Sequence, residues 1–309
     1  MRAKRLEISV IIVNWNTCDL LRQCLRSVYQ TLREIPFEVI VVDNASADGS
    51  AAMVAAEFPQ VRAIVNAENR GFAAANNQAL RVMAGRYALL LNSDAVLLEN
   101  AAATLYRFLE TCPDAAMAFG QLLNADGSLQ NSIAAFPTLW TLLANTALLE
   151  YLFPRRYPSK RYPHPAPIEI ESGIGACLLV RKAAVDAVGM LDERYVFFFE
   201  ETDWAFQMRR AGWKICHVPA ARIIHHQGRS IGRNVRSRIA FYRSRYQFFR
   251  KWRSDAYYVA VRIVVFMRLA ADWLLTSAGV LMTLGLKRAL RDKWMVYGQL
   301  LLWHLRCCP

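Results

Sequence analysis

Between Ile8 and Thr111 short apolar runs alternate with amphipathic segments, and few folds accommodate that rhythm. Ile8 to Asn14 (ISVIIVN) is a continuous β-branched run suited to a central strand buried on both faces. Asp19 to Thr31 follows, with Leu20, Leu21, Leu25 and Val28 at helical spacing. Phe37 to Val42 reads as a second buried strand ending in Asp43-Asn44, then a helix over Ser46 to Phe58 and a third strand over Val61 to Val65. A helix opened by a glycine covers Phe72 to Val82. A fourth strand, Tyr87 to Leu91, ends in Asn92-Ser93-Asp94, and Asn100 to Thr111 is helical. The pattern predicts right-handed βαβ units and an α/β fold with a mostly parallel sheet flanked by helices. Such sheets bind ligands beyond the carboxyl ends of their strands, where Asp43 and Asp94 fall.

The remainder changes character. Pro137 to Pro167, rich in Pro, Tyr, Leu and Arg, is expected to be irregular. Regular structure resumes at Glu171, and Arg236 to Arg253 reads as a basic helix with interleaved aromatics. At 309 residues the chain accommodates a sheet domain over 1–235 and a basic, apolar helical region over 236–309. Residues 1–203 hold 18 Lys/Arg against 22 Asp/Glu, net −4, whereas 204–309 hold 20 against 3, net +17. That asymmetry implies a polyanionic partner: nucleic acid, anionic lipid or a phosphate-bearing substrate. Tyr257 to Leu286 is apolar but contains Arg262, Arg268 and Asp272. Its uninterrupted part, Trp273 to Leu286, is 14 residues, short of the roughly 20 that span a bilayer. Cations flank it, so helices lying on an anionic membrane surface are expected, with a helical subdomain or a homo-oligomer contact as the alternative. The opening MRAKRLEISVIIVNWN is not expected to be a signal peptide. Seven scattered cysteines without zinc spacing are read as reduced thiols in a cytosolic setting.

Several blocks carry chemistry, and each also has a plain structural explanation. Asp43 is suited to accept hydrogen bonds from a uracil or thymine imide, or to close a turn with Asn44, Ser46 and Asp48. Asn69 and Arg70 precede a glycine and a small-residue helix whose N-terminus favours phosphate, or which simply packs closely. Asp94, in Asn92-Ser93-Asp94, is placed to hold Mg²⁺ or Mn²⁺ on a departing diphosphate, or to cap a turn. Glu200, Glu201 and Asp203 follow five apolar or aromatic residues, Tyr195 to Phe199. Like charges and apolar walls raise a carboxylate's pKa and make a base for an acceptor hydroxyl. First-turn acids also complement a helix dipole, and Asp203 fits that role. His225-His226 offers one imidazole as a second metal ligand, and the arginines after it suit phosphate.

Taken in order, these blocks resemble an inverting family 2 glycosyltransferase with the GT-A fold, and within it the bacterial rhamnosyltransferase-like branch. The matching stretches are IIVNWN (11–16), VVDNAS (41–46), NRGFAAANN (69–77), LLNSDA (90–95) and DGSLQ (126–130). AFPT (135–138), GACLLVRK (175–182), FFEETDWAFQMRRAGW (198–213) and HHQGRS (225–230) complete them, so the likeness covers about 7–232. The resemblance implies that Asn14, Asp43, Asn69, Arg70, Asn76, Asn92 and Asp94 face the nucleotide sugar. It implies that Asp94 and His225 hold the metal, and that Glu201 is the base with Glu200 in reserve. Gly175, Ala176, Asp203 and Trp204 would face the acceptor together with 137–167, and Arg229 and Arg233 would hold phosphate. Two departures stand out. Asn92 replaces the first aspartate of an Asp-x-Asp motif, implying modest metal affinity. Glu201 replaces an aspartate and is a longer base.

The expectation is a glycosyltransferase using a divalent cation, with dTDP-rhamnose favoured as donor and a UDP-hexose as the alternative. The acceptor would be a cell-surface glycan on a polyprenyl diphosphate, and the enzyme would sit at the cytoplasmic face of the membrane. A nucleotidyltransferase would show a glycine- and lysine-rich loop after the first strand, which WNTCDLLRQ lacks. A nucleic-acid-binding protein would explain the basic C-terminus but not the acids at strand ends, so no nucleic-acid partner is expected.

Overall fold

The computed structural model describes residues 5–160, 162–226 and 235–307. The chain begins β1 (Ile8–Asn14), α1 (Cys18–Thr31), β2 (Phe37–Asp43), α2 (Ser50–Glu57), β3 (Arg62–Val65), α3 (Phe72–Val82) and β4 (Tyr87–Asn92). It continues with β5 (Ala95–Leu97), α4 (Ala101–Thr111), β6 (Ala115–Leu123), β7 (Ile133–Ala134), α5 (Leu139–Leu143) and α6 (Thr146–Leu152). Next come β8 (Ile168–Glu169), β9 (Ser172–Gly173), β10 (Cys177–Arg181), α7 (Lys182–Val188), α8 (Glu200–Arg210) and β11 (Lys214–His225). Three helices close the chain: α9 (Val235–Trp252), α10 (Asp255–Met282) and α11 (Arg288–Cys307).

The main sheet runs β3-β2-β1-β4-β10-β6-β11-β5, with β8 also on β11. The pairs β2/β3, β1/β2, β1/β4 and β6/β11 are parallel. Their register sets Asn14 opposite Asp43 and Val13 opposite Asn92, so the polar strand ends lie level. Strand β10 is antiparallel to both neighbours. It starts opposite Leu91, because the chain re-enters the sheet from the carboxyl end of β4 after a long excursion. That entry brings Gly175-Ala176 to the strand ends.

The sheet is covered on both faces, which explains why its central strands do not alternate in polarity. Ile8, Val10 and Ile12 pack with Leu21, Leu25 and Leu105 on one side. Ile11 packs with Ala75, Ala79, Trp204 and Met208 on the other. Gly173 sits where any side chain would collide with the Phe119 ring, 2.4 Å away.

Two expectations need correction. Helix α2 starts at Ser50, not Ser46, because the Ser46 N–H is drawn to Asp43 Oδ1 (2.8 Å) and Gly49 takes a left-handed φ of 83°. The stretch 137–167 is not uniformly irregular. It contains α5, opened by a capping box at Thr138 and Thr141, and α6. The apolar stretch read over Tyr257 to Leu286 lies mostly in α10, which runs 28 residues through Arg262, Arg268 and Asp272.

The chain forms two compact units. The first comprises Met1–Phe136, Ala147–Val196 and Glu200–Ser230 and contains the sheet. The second comprises Pro137–Thr146, Phe197–Phe199 and Ile231–Pro309. Its core is built by Leu142, Tyr246, Phe249, Val261, Val265 and Leu300. Among the described residues no helix is long and apolar enough to cross a membrane.

Candidate active site

The strand ends are wired together by side chains. Asn14 Nδ2 donates to Asp43 Oδ2 (2.9 Å), and Thr17 Oγ1 donates to Asn14 Oδ1 (2.7 Å). Thr17 has then used its proton, so Ser93 Oγ donates to Thr17 Oγ1 (2.8 Å). The chain runs from β2 across β1 to the residue before Asp94. Asp43 also closes the turn at Ser46, so it serves the turn with one oxygen and the network with the other. Asn44 holds the next loop: its Nδ2 donates to Gly71 O (3.2 Å), and its Oδ1 accepts from Asn66 Nδ2 (2.9 Å). Asn69 and Arg70 lie on that loop, exposed at the N-terminus of α3, with Asn69 Oδ1 accepting from Gly71 N–H (2.9 Å).

Asp94 and His225 meet as a buried pair, with Oδ1 and Nε2 3.5 Å apart. Gln130 fixes the imidazole. Its Nε2 donates to His225 O (3.2 Å) and Asn124 Oδ1 (3.1 Å), which leaves Gln130 Oε1 to accept from His225 Nδ1 at 2.7 Å. Nδ1 therefore carries a proton, and Nε2 is the ring nitrogen that faces the Asp94 carboxylate. A buried carboxylate and an imidazole nitrogen set side by side are a donor pair that a divalent cation could use. Asn92 Oδ1 is also buried without a hydrogen-bond partner. One carboxylate and one imidazole oriented by the Gln130 amide suit Mg²⁺ or Mn²⁺. Among the described residues no group of three or more His, Cys, Asp or Glu forms a closed protein cage. A divalent ion here would thus take most of its ligands from substrate and water.

The acids arrive from the other direction. Asn92 N–H donates to Ala176 O (2.9 Å). The neighbouring Gly175 lies against Glu201: a Cβ there would be 3.4 Å from Glu201 Cγ, in ordinary contact. Glu201 thereby lies against the residue before Ala176, the hydrogen-bond partner of the last residue of β4. Burial pushes its carboxyl up to about 7, against backbone N–H groups of Glu201, Thr202 and Gly175 that hold it down. Glu200 is more deeply buried and is raised well above the usual range, by desolvation first and by the Glu201 charge second. Each carboxyl has one buried oxygen with no partner. The two residues before Glu200, Phe198 and Phe199, hold left-handed φ values of 69° and 71°. Such backbone costs about 1–3 kcal/mol per residue and clusters at working sites.

Other expected residues point elsewhere. Asp203 is fully buried, accepting from Tyr195 Oη (3.3 Å) and Gln207 Nε2 (2.7 Å). Trp204 is fully buried with Nε1 donating to Gly189 O (2.8 Å). Both lie on the inner face of α8 and are core rather than acceptor-side groups. Asn76 turns back on its own helix, donating to Phe72 O (2.9 Å). Its neighbour Asn77 does more. Its Nδ2 donates to Leu191 O (2.8 Å) and Glu193 Oε1 (2.9 Å), and its Oδ1 accepts from Leu191 N–H (3.1 Å). That amide ties the segment leading to the acids onto α3. Gln130, Asn44 and Asn77 were legible only as members of motifs, since a partner distant in sequence gives each its role. Arg229 and Arg233 lie outside the described residues.

Comparison with known proteins agrees with this geometry. The model of the family described as Glycosyl transferase family 2 matches residues 9–189. The chain is 30% identical over 251 residues to the N-acetylglucosaminyl-diphospho-decaprenol L-rhamnosyltransferase of Mycobacterium tuberculosis, covering 75% of this chain and 80% of that protein. It is 23% identical over 226 residues to the low-salt glycan biosynthesis hexosyltransferase Agl10 of Haloferax volcanii, covering 72% of this chain and 67% of that protein. In structure it is similar to the mannosyltransferase PcManGT of Pyrobaculum calidifontis, solved with GDP-Man and Mn²⁺. The TM-score is 0.59 at 19% identity, covering 97% of this chain and 88% of the other. It is also similar to GalNAc-T7 solved with UDP, GalNAc and Mn²⁺, at TM-score 0.59 and 15% identity, covering 98% of this chain and 56% of the other. The fold is therefore that of GT-A glycosyltransferases. With a sheet of this topology, an acid seated at its strand ends and the family match across 9–189, the chain is a member of glycosyl transferase family 2 and a glycosyltransferase.

Proposed function

We propose that the enzyme transfers a sugar, rhamnose from dTDP-rhamnose in the favoured reading, to a polyprenyl-diphosphate-linked glycan with inversion at the anomeric carbon. The observation that carries this reading is the seat of Glu201: a carboxyl raised toward neutrality, fixed against Gly175 beside the end of β4. The acceptor O–H attacks the anomeric carbon opposite the nucleotide. As the new C–O bond forms, the bond to the diphosphate breaks and the acceptor proton passes to a Glu201 carboxylate oxygen. Glu200, raised by desolvation and by the Glu201 charge, is the more enclosed of the two acids, and burial alone raises Glu201. Asp43, braced by Asn14, receives the base, and the loop at Asn69 and Arg70 receives phosphate at the α3 N-terminus. Asp94 and His225 would hold a divalent cation, which supplies neutralising charge for the departing diphosphate. The relative from Mycobacterium tuberculosis, named for a decaprenol-diphosphate acceptor, supports a lipid-linked acceptor, and an enzyme with such an acceptor works at a membrane.

The test is calorimetric titration with dTDP and UDP, each with and without Mn²⁺, on the wild type and Asp94→Ala. Mn²⁺-dependent binding of dTDP, lost in Asp94→Ala, is expected. Preference for UDP would move the donor to a UDP-hexose. Binding that is equal with Mn²⁺ or EDTA would remove the metal role of Asp94.

A further inference from the structure

Helix α10 is apolar on two opposite faces, and only one of them is covered. Tyr258, Val261, Val265 and Leu269 are buried in the core of their own unit. Val259, Ile263, Met267, Leu274 and Leu281 are each between 50% and 75% exposed. At 3.6 residues per turn these five fall within an arc of about 80° and form a stripe roughly 33 Å long. A helix resting on a core and facing water carries polar residues on its outer side, so among the described residues this stripe lacks a partner. Arg262, Arg268 and Asp272 fall outside that arc. Beside the stripe, within the same unit, a cavity of about 640 Å³ is lined by Leu142, Leu143, Ile263, Val264, Met267 and Arg268. Leu143 and Trp140 of α5 are largely exposed at this place.

The stripe runs on through Met282, Leu284 and Leu286, which are more than four-fifths exposed. It then meets Lys287, Arg288, Arg291 and Lys293, all exposed. Trp273 stacks on Trp294 at 6.4 Å, with Trp294 Nε1 donating to Ser277 Oγ (2.8 Å). Apolar side chains bounded by cations and aromatic rings match an interface that is apolar within and anionic at its surface. A second copy of the chain would bring the same +17 excess of residues 204–309 to the contact and be repelled.

We propose that this stripe of α10, with Trp140 and Leu143, is the face by which the enzyme lies on an anionic lipid bilayer, the helix axis parallel to the surface. The inference rests on the lipid-linked-acceptor reading for its purpose alone, because vesicle binding is scored without turnover.

The experiment is flotation of the full-length protein with phosphatidylglycerol-containing or pure phosphatidylcholine vesicles, at low and high salt. Wild type is expected to float with the anionic vesicles and to be released by salt. The variant I263E/M267E/L274E is expected to lose at least tenfold in partitioning while retaining dTDP binding. Equal flotation of the variant overturns the proposal, as does equal binding of wild type to neutral vesicles. A salt-stable dimer that the variant converts to monomer, without vesicle binding by wild type, assigns the face to a second copy and also overturns it. Should the variant fail to fold, quenching of the unmodified protein's tryptophans by bromolipid decides. Quenching by anionic bromolipid vesicles supports the docked face, and none refutes it.

Discussion

Glu200 and Glu201 are adjacent in sequence and unequal in setting. Glu201 is half-buried and shares its seat with backbone donors, whereas Glu200 is almost wholly enclosed. The more accessible group is the one able to take a proton from a substrate. Glu201→Gln should therefore lower kcat by about 10²–10⁴-fold while leaving dTDP affinity intact. A wild-type rate in that variant, measured by product formation, would remove Glu201 as base. Since burial pushes this carboxyl up to about 7, kcat/KM should rise about tenfold per pH unit and level off near neutrality. A profile already flat from pH 5 upward would contradict the assignment. That these acids would be buried was legible from their position after an aromatic run. That Asp203 was no candidate base was not legible, because only the packing of α8 shows which side of the helix faces the core.

At the scale of elements, the site depends on two ties between distant segments. Asn77 fastens the segment 191–193 to α3, and Phe72 N–H reaches Val196 O (3.4 Å) in the same region. Asn77→Ala should lower kcat roughly 10–100-fold by loosening the approach to Glu201, with dTDP binding retained. Asn76→Ala, losing only a bond within its own helix, should be nearly silent. Equal effects of the two would show that α3 is being damaged generally. The second tie is β10, whose antiparallel entry carries Gly175-Ala176 to β4. Its approach passes Gly173, where a methyl group would meet the Phe119 ring. Gly173→Ala should cost about 1–3 kcal/mol of stability in urea melts through overpacking; an unchanged midpoint would mean that the ring shifts freely. Strands β1 to β4 could be read from their apolar runs. The direction of β10 could not, because five apolar residues fit either orientation and the preceding path decides.

For the whole molecule, the buried acids make stability depend on pH. The folded state holds the Glu200 and Glu201 protons more tightly than the unfolded chain. From the ordinary carboxylate range upward to about 7, the native state therefore binds more protons, and its stability falls as pH rises. His217, kept neutral by burial with a pKa near 4, acts in the opposite sense. Glu200→Gln removes one buried acid and leaves His217 unchanged. The Tm gap between variant and wild type should accordingly widen in the variant's favour from pH 5.5 to pH 8. A gap that stays constant would show that Glu200 is already charged at the lower pH. The charge division read along the chain, −4 then +17, also belongs to this scale. It pointed to a polyanionic partner without saying which surface would meet it.

The sequence by itself determined the βαβ rhythm, the polar groups at the strand ends and the family. Each depends on local order: apolar period, a turn residue after a strand, a motif of fixed spacing. Tertiary structure alone decided that Gln130 sets the tautomer of His225, that Gly175 seats Glu201 and that Asp203 and Trp204 belong to the core. It also decided which face of α10 stays uncovered. These are contacts between residues far apart in the chain, and the packing of two faces of one sheet selects them.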